Sequence, residues 1–431
     1  MAKMMAIPST LLVLALTSFT TAQRVIKAEI WKPQIPLNST IYDNSTIYGT
    51  NETLSRRSII AQLTPKPDRS LYWINVTLGT PGQPQSLQLD TGSNVLLVPA
   101  VGSSLCSPGL IPCAALGSFD SSKSSTFSNT NQATSETFTD GASVSGNWIY
   151  DTVGIGGGSV AGQLAILGTS GSSITEGVLG VGFPASWPTL NHNLAAQNII
   201  SSNSYSLWLD QASSASGTIL FGGLNLARFL GTLLKVPIIG TTNSDGSTAY
   251  NQATVQLTRV ATINGLLPTI MTPLTYSENA ILDTGTSLTI LQQDLATSII
   301  NAMGAQYYPS GSTSGNAIVP CSAANNNALS VNFHFSNLLT GPTINVPLSQ
   351  LVLGILGSLD GTTYCQFGIY SAPASAGYPT ILGDTFLRNA YAVYDLDTHH
   401  VGLAQAVYDS HVVDRIIEIP AGGIPAGIVV G

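Results

Sequence analysis

An all-β chain folded as two related lobes is the class this sequence predicts, and three observations predict it. Short runs rich in Val, Ile, Leu, Thr and Tyr are broken about every 8–12 residues by Gly, Pro, Asn or Ser-Gly, the spacing of strands and turns. One segment recurs: Leu87-Gln88-Leu89-Asp90-Thr91-Gly92-Ser93 corresponds to Ala280-Ile281-Leu282-Asp283-Thr284-Gly285-Thr286. At 431 residues the chain exceeds one ordinary domain and can bury two large cores.

The amino terminus reads as an export signal over residues 1–22. Lys3 supplies a positive start, Leu11 to Leu16 a short apolar stretch, and small residues run to Ala22. A membrane-spanning helix needs about 20 apolar residues, roughly twice this run. Residues 23–57 read as a pro-segment ending at the dibasic pair Arg56–Arg57, where a processing protease is expected to cut. This stretch holds the sequons Asn38, Asn44 and Asn51, and a fourth sequon stands at Asn75. Residues 1–57 carry six Lys or Arg against three Asp or Glu; the remainder carries eight against nineteen. A basic leader on an acidic body suits an electrostatically held pro-segment, with Lys27 or Lys32 able to reach an acidic site.

Beyond Arg57, strands are expected at Leu71–Leu78, Ser86–Leu89, Asn147–Val153, Ser204–Leu209 and Ala390–Leu396. Helices are expected at Trp187–Gln197 and Gln292–Met303, and the serine clusters Ser121–Ser125 and Ser213–Ser216 read as surface turns. The repeat divides this body into an N-terminal lobe, 58–240, and a C-terminal lobe, 241–415, joined near Pro237 to Gly246 and followed by a tail, 416–431. That tail lacks the spacer and hydrophobic terminus of a lipid-anchoring signal. Hydrophobic residues make up 44%, which excludes disorder, while charged residues make up only 8% against the roughly 25% usual in soluble proteins. Ser, Thr, Asn and Gln therefore supply much of the polar surface, and its charge changes little with pH. With a sequence pI near 4.9, such a surface suits an acidic medium. The formal charge of −8 leaves nucleic acid outside the expected partners.

Cys106, Cys113, Cys321 and Cys365 form an even set in an exported chain, which implies disulfides with three possible pairings. Local pairing closes loops of 8 and 45 residues and would contribute about 2.5 and 4 kcal/mol on the chain-entropy model. No His lies near these cysteines at metal-finger spacing. The five histidines, His192, His334, His399, His400 and His411, fall outside every motif, and His399-His400 reads as a solvated pair in a turn. No nucleophile elbow, zinc motif or phosphate loop is present, so neither metal nor cofactor is expected.

The chemistry lies in the two Asp-Thr-Gly copies. Hydrolysis of a peptide bond without metal or covalent intermediate needs an activated water and a proton donor for the carbonyl oxygen. Two carboxyls held about 3 Å apart do both, because like charges that close share one proton and titrate apart. Asp90 and Asp283 are the expected catalytic pair. Gly92 and Gly285 let two backbones approach closely. Thr91 and Thr284 can hydrogen-bond between the loops, while Ser93 and Thr286 offer hydroxyls beside the carboxylates. Each copy is followed at matching distance by an apolar pair and glycine, Val178-Leu179-Gly180 and Ile381-Leu382-Gly383.

With these residues in place the chain resembles the pepsin family of aspartic proteases, particularly its secreted fungal branch, over residues 70–405. The resemblance rests on Tyr72-Trp73-Ile74-Asn75-Val76-Thr77-Leu78-Gly79-Thr80-Pro81, on both catalytic loops, on Gly177-Val178-Leu179-Gly180-Val181-Gly182 and on Ile381-Leu382-Gly383-Asp384-Thr385-Phe386-Leu387-Arg388. It implies a bilobal pepsin-like fold, two β-barrel-like lobes with a central cleft and one catalytic Asp from each. It also favours the local cysteine pairing. A monomeric endopeptidase acting on extended peptide or protein substrates in acid is the implied function. A non-catalytic peptide-binding protein on the same fold is the other reading, against which both intact aspartates and glycines stand.

The resemblance also implies a β-hairpin flap over the cleft, and here the sequence departs from the family. The matching stretch is Phe138-Thr139-Asp140-Gly141-Ala142-Ser143, in which Asp140-Gly141 is a good hairpin turn. Phe138 stands where the family has tyrosine, and Leu97 where it has the tryptophan that tyrosine bonds. Replacing both ends of a hydrogen bond can be nearly neutral, so Phe138 is expected to pack on Leu97. Gly92, Ser93, Phe138, Asp140, Gly285 and Thr286 are the expected substrate-contacting residues.

Overall fold

A computed structural model describes residues 24–32 and 71–430, apart from 108, 185–186, 215, 266, 327, 360, 374 and 409–410. The expected signal, Arg56–Arg57 and the sequons Asn38, Asn44 and Asn51 lie outside the described residues. Strands dominate, and each lobe builds its centre from the same arrangement. In the N-terminal lobe Gln83–Asp90 runs parallel to Gly177–Gly180, which pairs antiparallel with Leu96–Pro99, which in turn runs parallel to Gly158–Ser172. In the C-terminal lobe Glu278–Leu282, Thr380–Leu382, Thr289–Gln292 and Ile369–Ala372 repeat that order and those directions. The repeat seen in the residues is thus a repeat of topology.

The strands that lead into the two Asp-Thr-Gly loops are buried on both faces, which is why they read as apolar runs. Leu87 and Leu89 are buried in the first, and Ala280, Ile281 and Leu282 in the second. One continuous apolar core runs through both lobes. The two helices expected from sequence form at Leu190–Ala196 and Gln293–Ala302. Cys106 bonds to Cys113 and Cys321 to Cys365, the local pairing.

The largest sheet among the described residues crosses the boundary expected at 240/241. Ala390–Asp395 and His400–Ala406, numbered with the C-terminal lobe, pair with Ser204–Trp208 and Phe229–Pro237 of the other. The expected leader and tail both enter this sheet. Ile26–Trp31 lies between Ser216–Phe221 and Trp73–Leu78, with Ala28 and Ile30 buried. The alternation Ile-Lys-Ala-Glu-Ile-Trp sends Ala28 and Ile30 to the core face and Lys27 and Glu29 outward, as period two requires. The tail enters the sheet through Val429–Val430, paired with Gly231–Thr232; Ile416–Glu418 pairs with Gly223–Asn225 in a separate two-stranded sheet, and the tail buries Ile419 and Ile424. His399 is not simply solvated: its ring stacks on Tyr250 with centroids 3.7 Å apart.

Candidate active site

Each Asp-Thr-Gly triplet follows the end of a buried strand where the two lobes meet, and the two turns lock onto one another. The Thr91 amide donates to Thr284 Oγ1 at 3.1 Å, and the Thr284 amide returns a bond to Thr91 Oγ1 at 3.0 Å. Each hydroxyl then donates across the junction to the strand carrying the opposite aspartate, Thr91 to Leu282 O at 3.0 Å and Thr284 to Leu89 O at 2.8 Å. Both threonines are buried, so these four bonds act in a low-dielectric setting where they hold geometry firmly.

The carboxyls stand on this frame. The Gly92 amide donates to Asp90 Oδ1 at 2.8 Å and the Gly285 amide to Asp283 Oδ1 at 2.7 Å. The glycines are required by space. A Cβ on Gly92 would lie 2.5 Å from Asp283 Oδ1, and one on Gly285 would lie 2.5 Å from Asp90 Oδ1. Each aspartate therefore sits against the opposite loop, and the two are neighbours: that Gly285 Cβ would also lie 3.0 Å from Asp283 Oδ1. Burial first, and then the neighbouring Asp283 charge, push the Asp90 carboxyl well above the usual carboxylate range. The outer hydroxyls differ. Thr286 Oγ1 donates to Asp283 Oδ2 at 2.7 Å, whereas Ser93 stands beside Asp90 and favours its charge without reaching full hydrogen-bond geometry. A pair so arranged can keep one proton while presenting one charged oxygen to water.

Behind the loops, the apolar-apolar-glycine segments act as supports. The Val181 amide donates to Asp90 O at 2.9 Å, and the Gly182 amide to Ser93 O at 2.8 Å. In the other lobe the Asp283 amide donates to Leu382 O at 3.2 Å and the Asp384 amide to Thr286 O at 2.9 Å. Two residues absent from the sequence-based set join them. Gln88 Nε2 reaches Gly285 O at 3.2 Å. Asp384 is fully buried, both carboxyl oxygens lack a hydrogen-bond partner among the described residues, and burial raises it well above the ordinary value. Its place in Ile381-Leu382-Gly383-Asp384 was the available signal.

The flap forms as a hairpin of Ser128–Thr137 and Ser143–Ile155. The Phe138 amide donates to Ala142 O at 2.8 Å, Asp140 Oδ1 accepts from the Ala142 amide at 2.9 Å, and Gly141 takes φ +85°. Phe138 packs against the apolar cluster that holds Val95, Leu97, Val144, Ile166 and Val178. Sequence reading missed the Trp148–Trp187 contact on the same cluster, with ring centroids 4.7 Å apart. Asp140 and Thr139 are exposed at the tip. Of the two lysines expected to be able to reach an acidic site, Lys27 instead pairs with Asp414, while buried Lys32 donates to Ala212 O, stands over Tyr72 and acts through its charge on Asp384. Among the described residues no group of three His, Cys, Asp or Glu is placed to hold a metal.

Comparison with known proteins agrees with this geometry. A family model described as eukaryotic aspartyl protease matches residues 71–406. A probable aspartic-type endopeptidase, opsB, of Aspergillus fumigatus is 36% identical over 371 residues, covering 82% of this chain and 72% of the relative. Secreted aspartic protease 8 of Candida albicans is 37% identical over 350 residues, covering 78% and 76%. An acid protease of Saccharomycopsis fibuligera is 31% identical over 351 residues, covering 79% and 82%. With the match spanning both lobes and both loops, the chain belongs to the eukaryotic aspartyl proteases.

Proposed function

We propose that this aspartyl protease is an exported endopeptidase in which Asp90 and Asp283 act together on a water held between them. The observation that carries the reading is the reciprocal Thr91–Thr284 and Gly92–Gly285 frame, which sets a buried Asp90 beside a half-buried Asp283. One carboxylate takes a proton from water as it attacks the scissile carbonyl, and the protonated partner donates to the carbonyl oxygen. The roles reverse as the intermediate collapses and the amine leaves. The single proton must be present, so activity belongs to acid. Substrate enters as an extended chain under the flap, with Gly92, Ser93, Gly285 and Thr286 around the scissile bond and Phe138 and Asp140 above it. The apolar cluster of Phe138, Val95 and Leu97 favours hydrophobic residues beside that bond.

The chain is made as a proenzyme, cut after Arg56–Arg57, and acts as a monomer outside the cell. The relatives' printed names, a secreted protease and an acid protease among them, support export and acid activity. No helix among the described residues is long and apolar enough to cross a membrane. Of the four proposed glycan sites, Asn75 is exposed on its strand, although its Oδ1 accepts from Ser86 Oγ at 2.8 Å and Trp31 Nε1 at 3.3 Å.

Hydrolysis of an unfolded protein in mild acid tests the mechanism. Cleavage should vanish in Asp90→Asn and Asp283→Asn and on adding a statine-type transition-state analogue, each loss being at least about 10³-fold. Undiminished cleavage by either folded variant would remove the assignment.

A further inference from the structure

From Leu87 to Ser93 and from Ala280 to Thr286 the two copies match in polar character at every position but one. Two residues before the aspartate, Gln88 stands in the first copy and Ile281 in the second. Period two along Gln83–Asp90 sets Gln88 on the same face as Asp90, and Gln88 is only 8% exposed. Its register neighbours are Trp73 and Val178, both buried, and neither side chain holds an acceptor. The Gln88 amide instead leaves its own lobe, and Nε2 donates to Gly285 O at 3.2 Å. Ile281 is buried too, but it has no donor to return such a bond to the first loop. The threonine and glycine contacts between the loops are reciprocal, whereas this one runs a single way.

Gly285 O belongs to the peptide between Gly285 and Thr286, and the two groups that bond the Asp283 carboxyl flank that peptide. The Gly285 amide donates to Asp283 Oδ1 and Thr286 Oγ1 to Asp283 Oδ2, each at 2.7 Å. The Thr286 amide also donates to Asp283 O at 3.4 Å. Asp283 is the less buried of the two aspartates, so its orientation depends more on these bonds than on packing. We infer that Gln88 is a positioning residue for Asp283, holding the Gly285–Thr286 peptide from the other lobe so that both donors stay aimed at the carboxyl. Each donor favours a charged carboxyl. Loosening the peptide therefore weakens the hold on the one charge the pair must keep, and misplaces the group that carries it. The role presupposes Asp90 and Asp283 as the catalytic pair proposed above.

Two substitutions, read in pH–rate profiles of peptide hydrolysis, test this role. Gln88→Leu deletes the donor at similar volume. It should lower kcat about fivefold, leave KM within about twofold, and move the acid limb of kcat/KM up by about half a pH unit. Gln88→Glu keeps the shape and makes the donor depend on pH. When protonated, the introduced carboxyl can donate to Gly285 O; when ionised it cannot, and it adds a charge beside the dyad. Burial and the neighbouring aspartates favour its protonated form. Relative to wild type, kcat should therefore stay within about twofold at about pH 3 and fall at least about fivefold by about pH 6. A side chain that only fills space would leave the Gln88→Leu profile unmoved, or give Gln88→Glu the same loss at every pH. Either result would overturn the role. Undiminished hydrolysis in Asp283→Asn would instead remove the catalytic reading on which it stands.

Discussion

Thr91 Oγ1 donates to Leu282 O and accepts from the Thr284 amide, all in a buried setting. Thr91→Val keeps the shape and deletes both bonds, leaving a buried amide and carbonyl without their partner. A stability loss of about 1–3 kcal/mol is expected in denaturant titration, together with a fall in kcat from the loosened aspartate. Thr91→Ser keeps the hydroxyl and should recover most of both. Gly285→Ala tests the same junction by space. The added methyl would sit 2.5 Å from Asp90 Oδ1, so hydrolysis should collapse even if the variant folds. Substantial activity in Gly285→Ala would show that the loops can separate without cost.

At the scale of elements, the flap and the C-terminal extension each carry an expectation. Phe138 lies on a cluster of apolar side chains that offer no hydrogen bond, so Phe138→Tyr alone should change kcat/KM less than about threefold, since the new hydroxyl would find no partner there. A large gain would mean that a missing hydroxyl limits the enzyme. The extension contributes Ile424, 3% exposed, to a core with Phe229, Leu233 and Tyr391. Ile424→Ala should lower stability by about 2–4 kcal/mol, read as a shift in denaturation midpoint, because a packed core fills such a hole only in part. A midpoint unmoved by Ile424→Ala would make residues 416–430 an ornament rather than part of the fold.

For the whole molecule, buried acids set the pH dependence. Burial is the main cause that lifts both Asp90 and Asp384 above the ordinary carboxylate value, with the dyad's own charges adding to it. The unfolded chain releases these protons at the ordinary value, whereas the folded chain retains them. Stability from this linkage is fully present below the ordinary carboxylate value and is lost as pH rises through the folded values. Tm should therefore fall between mild acid and neutrality, and Asp384→Asn should flatten that fall while Asp90→Asn abolishes activity as well. An identical slope in Asp384→Asn would assign the pH dependence to other groups.

The two neighbouring aspartates, their glycines and threonines and the two-lobed class were legible because each is written locally. A buried strand reads as an apolar run, and a turn that must admit a carboxylate beside its backbone reads as glycine. The duplication wrote them twice, at Asp90 and Asp283. The roles of Gln88 and Trp148 were not legible, since nothing local distinguishes a side chain that reaches across a junction from one that faces solvent, and the motif around Asp384 marked its place but not its burial. Nor did sequence show that residues expected in a leader and a tail would enter one sheet. Ile26–Trp31 alternates like any half-buried strand, but alternation does not name the neighbour. Only the tertiary structure placed it between Ser216–Phe221 and Trp73–Leu78, with Lys27 on Asp414 rather than near the dyad. Local sequence determines which residues can turn, bury or ionise, whereas pairing between distant segments depends on the backbone hydrogen bonds and burial they complete together.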